Sequence, residues 1–341
     1  MFKSSLFLIL VLFTTPARAF EDVQGNIVDA GKTGWHEISL QHNKLTRYFR
    51  IYRPENLKEM PAVVFVLHGG KQSMRKIFEE KAGGSQEWQT LAEKGGFLLI
   101  APNAVNVKSG DTNGDKQNWN DCRLPVKGNG SASTADDVGF IDTLIDWSHD
   151  NYHTNMNRIY VTGASNGGMM AFRAITELGY KFAAAAVFIA NQPEHSDCVD
   201  PKYPVPLMIM NGTHDSLVLW HGGKIRKQGV NLLSAENTLQ FWSKVNKLNS
   251  PQRVTNLPDL NKHDGSYIVK HVFPANDSSS AELWFYKVKG GGHTMPSIKH
   301  NVSMLARWLV GKQNKDLEAT HEAWNFMNRH TTKEKVSVED E

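Results

Sequence analysis

Cysteine is scarce and charge is nearly balanced: 341 residues hold two cysteines, and the formal net charge is only +3. So small a charge gives no case for nucleic acid or an anionic membrane as partner. Long apolar runs are missing too. The run at 6–13 covers eight residues, well short of the roughly 20 needed to cross a bilayer, and no later segment reaches that length, so no membrane span is expected. There is no internal repeat and no low-complexity tract. What remains is ordinary globular composition, 40% apolar and 21% charged, with enough apolar material for a large core.

Lys3, the apolar run and then Ala17-Arg18-Ala19 read as an export signal, residues 1–19, cut after Ala19. Export, to the periplasm or outside the cell, changes how the cysteines read. In an oxidising compartment Cys122 and Cys198 have one possible pairing, and the alternative is two buried free thiols. The charged stretch 331–341 reads as a solvated tail.

Strand-like runs fall at 47–52, 62–67, 97–101, 158–162, 185–190, 206–210 and 282–288. Helix-like segments at 86–94, 137–152, 168–178, 235–245 and 302–308 carry apolar residues at three- and four-residue spacing. This alternation predicts an α/β fold with a mainly parallel central sheet and helices on both faces. Continuous apolar runs such as Val63-Val64-Phe65-Val66-Leu67 fit central strands buried on both sides. No linker interrupts the pattern, so residues 20–330 are expected to form one domain. Two segments depart from it: 103–130 reads as a functional loop over the site, and 250–277 holds a strand-like stretch at 267–273 among turn residues.

The chemistry concentrates at Gly163-Ala164-Ser165-Asn166-Gly167-Gly168, between the apolar Ile159-Tyr160-Val161 and a helix-like run. Small residues around a serine at a strand-to-helix turn allow a strained backbone that lifts the hydroxyl clear of the sheet as a nucleophile. Such a serine needs a base. His293 sits in Gly290-Gly291-Gly292-His293 after a strand, where glycines let the loop carry an imidazole over the sheet edge. It also needs an acid to orient that base, and Asp215, just after the buried strand 206–210, is preferred to Asp197 or Asp200. Backbone N–H groups of Asn166 and Gly70 are the expected oxyanion donors, with His68 holding the Gly69-Gly70 loop. Asp136-Asp137 reads as a helix cap rather than a catalytic carboxylate pair. The turn at 111–115 lacks the Gly and Glu of a calcium loop. No metal or cofactor is expected.

His68-Gly69-Gly70, Trp119-Asn120-Asp121, Asp136-Asp137-Val138-Gly139-Phe140, the serine motif, Asn211-Gly212-Thr213-His214-Asp215 and Gly291-Gly292-His293 occur in an order that resembles α/β-hydrolase esterases of the polyhydroxybutyrate depolymerase and feruloyl esterase group. Residues 317–326 resemble that group's closing helix. The resemblance implies an α/β-hydrolase fold and a secreted serine esterase, with Ser165 as nucleophile, His293 as base and Asp215 as acid. Two positions depart from the family: Leu219-Trp220 and Met295 stand where it often has proline-tyrosine and tryptophan. Trp119 and Trp220 are expected to contact the substrate, a small or oligomeric ester. A feruloyl or acetyl-xylan esterase is the alternative, with a serine peptidase or a non-catalytic binding protein behind it.

Overall fold

The computed structural model describes residues 19–21, 27–29, 31–79, 84–123, 133–196, 198–224, 231–248 and 253–332. Nearly all of the expected export signal, most of the charged tail and Asp197 lie outside them.

A small pair, β1 (Ala19–Glu21) and β2 (Ile27–Asp29), precedes the hairpin of β3 (Gly34–His42) and β4 (Leu45–Arg53). Its two-residue turn, Asn43 and Lys44, has both φ angles positive, the geometry that matches the twist of paired strands. There follow β5 (Val63–Leu67), α1 (Lys76–Glu79), α2 (Glu87–Gly95), β6 (Leu98–Pro102) and α3 (Asp137–Tyr152). Next come β7 (Ile159–Ala164), α4 (Asn166–Glu177), β8 (Ala184–Phe188) and β9 (Leu207–Gly212). The short pair β10 (Gly223–Lys224) and β11 (Asn231–Leu232) leads to α5 (Ala235–Val245). The chain continues through β12 (Arg253–Asn256), β13 (Tyr267–Phe273), β14 (Leu283–Lys289), α6 (Met304–Val310) and α7 (Ala319–Met327).

Ten strands form one sheet in the order β12-β13-β14-β9-β8-β7-β5-β6-β4-β3. The six from β14 to β6 are parallel, and antiparallel strands close both edges. Side chains alternate between faces, so Val63, Phe65 and Leu67 of β5 enter one core with residues of α3, α4 and α5. Val64 and Val66 enter the other, with residues of α1, α2 and α7. Both faces are therefore covered, the α/β-hydrolase arrangement expected from the sequence.

The structure amends the expectation at the edges. β3 and β12 have no counterpart among the expected strands, because edge strands need no continuous apolar run. In β3 only Ile38 is buried, and all of β12 is exposed. α4 begins at Asn166 rather than 168 because the turn at Ser165 passes into helix without a spacer, Met169 N donating to Ser165 O. α6 starts two residues later than expected.

Cys122 and Cys198 form a disulfide across 76 positions, which settles the alternative left open by the sequence. Asp136 caps α3, its carboxylate accepting from Gly139 N at 2.9 Å, while the neighbouring Asp137 is fully buried and pairs with Arg47 at 2.6 Å. Burial pushes the Asp137 carboxyl up and Arg47 opposes that shift. Asp136 caps the helix as expected, whereas Asp137 lies within it as the buried partner of Arg47.

Candidate active site

Because β7, β9 and β14 run parallel, the loops that leave their C-terminal ends share one edge of the sheet. Ser165 follows β7, Asp215 follows β9 and His293 follows β14.

Ser165 occupies φ 58°, ψ −122°, a conformation disfavoured for a residue with a side chain. Surrounding contacts enforce it. Ser165 N donates to Phe188 O at 3.0 Å, and Gly167 lies so close to β5 that an added Cβ would meet Leu67 O at 2.2 Å. Bulk at 167 would push α4 off the strand and undo the turn. Ser165 itself stays partly exposed, while Asn166, Gly167 and Gly168 are buried.

Asp215 is fixed before it meets the histidine. Its Oδ1 accepts from Leu217 N and Val218 N, both at 2.8 Å, leaving Oδ2 to accept from His293 Nδ1 at 2.7 Å. The pair is sheltered, with the side chains 2% and 9% exposed. Donation through Nδ1 leaves Nε2 as the imidazole nitrogen able to take a proton. The histidine loop is held by Gly292 N to Lys312 O at 2.8 Å and His293 N to Val310 O at 2.5 Å. A side chain at 292 would meet Val310 O at 2.2 Å. The structure therefore brings Asp215 to His293, whereas Asp200, the described rival, is exposed on the disulfide loop.

Gly70 stands beside Asn166, where an added Cβ would lie 3.4 Å from Asn166 Cβ. The two expected oxyanion donors are thus neighbours. His68 holds their loop: its Nδ1 donates to Gly69 O at 2.8 Å, and its Nε2 accepts from Ala104 N at 3.2 Å. Complete burial lowers the His68 pKa to about 4, so the ring is neutral at ordinary pH and keeps an acceptor nitrogen. The Asn166 side chain is clamped as well. Its Oδ1 accepts from Trp119 N at 2.9 Å, and its Nδ2 donates to Asp121 at 2.5 Å. Asp121 in turn accepts from Arg123 Nε at 2.7 Å.

Trp119-Asn120-Asp121 stands out in the sequence as a motif, but nothing there points to Asp121 and Arg123 as the residues that hold Asn166, since neither lies near the serine motif. The two tryptophans expected to contact substrate are both buried. Trp119 is 1% exposed, its indole N–H is spent on His68 O at 2.8 Å, and its ring lies against His68. Trp220 is 5% exposed, under the Lys287 ammonium and against Phe285. Both pack beneath the loops as they stand, burying most of the indole surface. Segment 103–130 does run past the site, pairing Gln117 with Gln72 and Asn118 with Val105, although 124–132 lie outside the described residues.

Among the described residues one group of candidate metal donors comes together: Cys122, Cys198 and Glu177. Its two sulfurs are joined in the disulfide and offer no thiolate.

The Esterase family model matches residues 43–279, more than half of the chain. The chain belongs to the Esterase family. The matched stretch includes Gly70, Ser165 and Asp215 but stops short of His293, so the histidine rests on the geometry above. Among curated relatives, "Bifunctional acetylxylan esterase/xylanase XynS20E" of Neocallimastix patriciarum is 24% identical over 173 residues, 50% of this chain and 22% of that protein. "Feruloyl esterase B" of Piromyces equi is 30% identical over 118 residues, 33% of this chain and 22% of that protein. "Poly(3-hydroxybutyrate) depolymerase" of Ralstonia pickettii is 29% identical over 143 residues, 40% of this chain and 27% of that protein. The chain thus spans about a quarter of the length of these relatives. An acetyl xylan esterase structure from Aspergillus awamori superposes with a TM-score of 0.53 at 18% identity, covering 76% of this chain and 95% of that one. At that identity the likeness is one of fold.

Proposed function

We propose that this member of the Esterase family is an exported serine esterase. The Asp215–His293 hydrogen bond at 2.7 Å, on the sheet edge that carries the strained Ser165, supports the reading most strongly. In it, His293 Nε2 takes the Ser165 proton as Oγ attacks an ester carbonyl, and Asp215 holds the ring and steadies the imidazolium. The N–H groups of Asn166 and Gly70 receive the developing oxyanion. His293 then protonates the leaving alcohol, and a water activated by the same nitrogen releases the acid from the acyl-enzyme. This chemistry uses side chains and backbone alone.

Export is supported by the N-terminal sequence and by the disulfide, which persists in an oxidising compartment. Among the described residues no helix is long and apolar enough to cross a membrane.

The names of the relatives divide the substrate between acylated plant polysaccharide and hydroxyalkanoate oligomers. A panel of acetylated xylan, methyl ferulate, hydroxybutyrate oligomers and p-nitrophenyl acetate tests both the activity and the division. Turnover of at least one ester, lost in Ser165→Ala, is expected. Inertness toward all four, or turnover that survives Ser165→Ala, contradicts the reading.

A further inference from the structure

The side-chain amide and indole donors of residues 117–120 and of Asn166 are committed within the fold, with one exception. Gln117 Nε2 donates to Asp111 O at 2.9 Å, Trp119 Nε1 to His68 O at 2.8 Å, Asn120 Nδ2 to Ala135 O at 2.9 Å and Asn166 Nδ2 to Asp121 at 2.5 Å. Asn118 stands in the middle of this set, and its carboxamide has no hydrogen-bond partner among the described residues.

Its neighbours fix where that carboxamide sits. Asn118 N donates to Val105 O at 3.2 Å. On one side Gln117 N donates to Gln72 O at 2.9 Å and its O accepts from Lys71 N at 2.8 Å, which ties the strand of chain to the Gly69-Gly70 loop. On the other, Trp119 N donates to Asn166 Oδ1 at 2.9 Å. The main chain around Asn118 is therefore pinned to both segments that carry the expected oxyanion donors. Its side chain reaches the same place: a Cβ added to Gly70 would lie 3.0 Å from Asn118 Nδ2 and 3.4 Å from Asn166 Cβ. A methyl at 70 would crowd that nitrogen, so glycine leaves room for it. Gln117 and Trp119 are buried, whereas Asn118, like Gly70 and Ser165, keeps part of its surface accessible.

We propose that Asn118 is a further catalytic residue, its Nδ2–H donating to the developing oxyanion as a third donor beside the N–H groups of Asn166 and Gly70. No proton is transferred. The amide keeps its hydrogen while negative charge builds on the carbonyl oxygen, and a donor held by a fixed main chain needs little reorganisation at the moment of attack. The assignment rests on Ser165 being the nucleophile.

Steady-state kinetics of the full chain on p-nitrophenyl acetate, with Ser165→Ala, Asn118→Ala and Asn118→Asp, separates the two claims. A parent without turnover would overturn both. With an active parent silenced by Ser165→Ala, Asn118→Ala should lower kcat about 10²-fold and leave KM within about two-fold, because the lost bond belongs to the transition state. Asn118→Asp keeps the size but sets a carboxylate beside the oxyanion, and it should be slower still. A packing role would make the isosteric aspartate the milder change. Melting curves matching the parent check folding, and the isosteric variant keeps the test available if alanine destabilises the loop. A kcat within about three-fold of the parent in Asn118→Ala, a loss confined to KM, or a faster Asn118→Asp than Asn118→Ala would overturn the role of Asn118 and leave Ser165 standing.

Discussion

Asp215 and His68 carry opposite burdens. Asp215→Asn keeps the size of the side chain but offers His293 an amide, which favours the wrong tautomer. The expected outcome is a fall in kcat of about 10³- to 10⁴-fold on p-nitrophenyl acetate with little change in melting temperature, by the precedent of serine proteases. His68 must stay neutral to accept from Ala104 N, and its folded pKa of about 4 lies below the unfolded value near 6.5. The native state therefore binds fewer protons, and stability present above pH 6.5 is lost as pH falls toward 4. The loss should reach roughly 3 kcal/mol. Urea unfolding from pH 7 to 4 should show that slope, and His68→Asn should flatten it. The strained turn at Ser165 and the Asp215–His293 hydrogen bond were legible because turn glycines and strand ends mark these positions locally. The clamp of Asp121 on Asn166 and the burial of Trp119 against His68 were not, since each depends on contacts between distant segments.

At the scale of elements, glycine placement and cap chemistry decide how the site loops sit. Gly292→Ala puts a methyl against Val310 O, so the loop bearing His293 must move. A displacement near 1 Å costs roughly 100-fold in kcat, which steady-state kinetics on p-nitrophenyl acetate would read directly. α2 supplies a second anchor. Burial alone would raise the Glu87 carboxyl, but hydrogen bonds from Lys299, His300 and His321 outweigh it and hold the pKa at about 2. The contribution is fully present above pH 4.5 and fades as pH falls toward 2, so Glu87→Gln should lower the melting temperature at pH 7 and have less effect at pH 2 to 3. Central strands and the longer helices were readable from their apolar patterns. The edge strands β3 and β12 were not, because an edge that is partly or wholly exposed carries a weak apolar pattern, and the three partners of Glu87 have no sequence signal at all.

For the whole molecule, the disulfide ties the segment beside Asn166 to the loop after β8. Closing so long a loop is worth up to about 4 kcal/mol on the chain-entropy model, and reduction under native conditions should lower the unfolding free energy by up to that amount. The parallel sheet brings the C-terminal ends of β7, β9 and β14 to one edge, so the loops bearing Ser165, Asp215 and His293, up to 128 positions apart in sequence, leave the sheet on the same side. The Asp215–His293 pair lies on that edge, and the proposed chemistry is assigned to it. A fluorophosphonate probe followed by peptide mapping tests that claim most directly. A single adduct on Ser165, absent in Ser165→Ala and strongly slowed in His293→Ala, is the predicted result. An unlabelled folded protein, or an adduct that persists in Ser165→Ala, would contradict it.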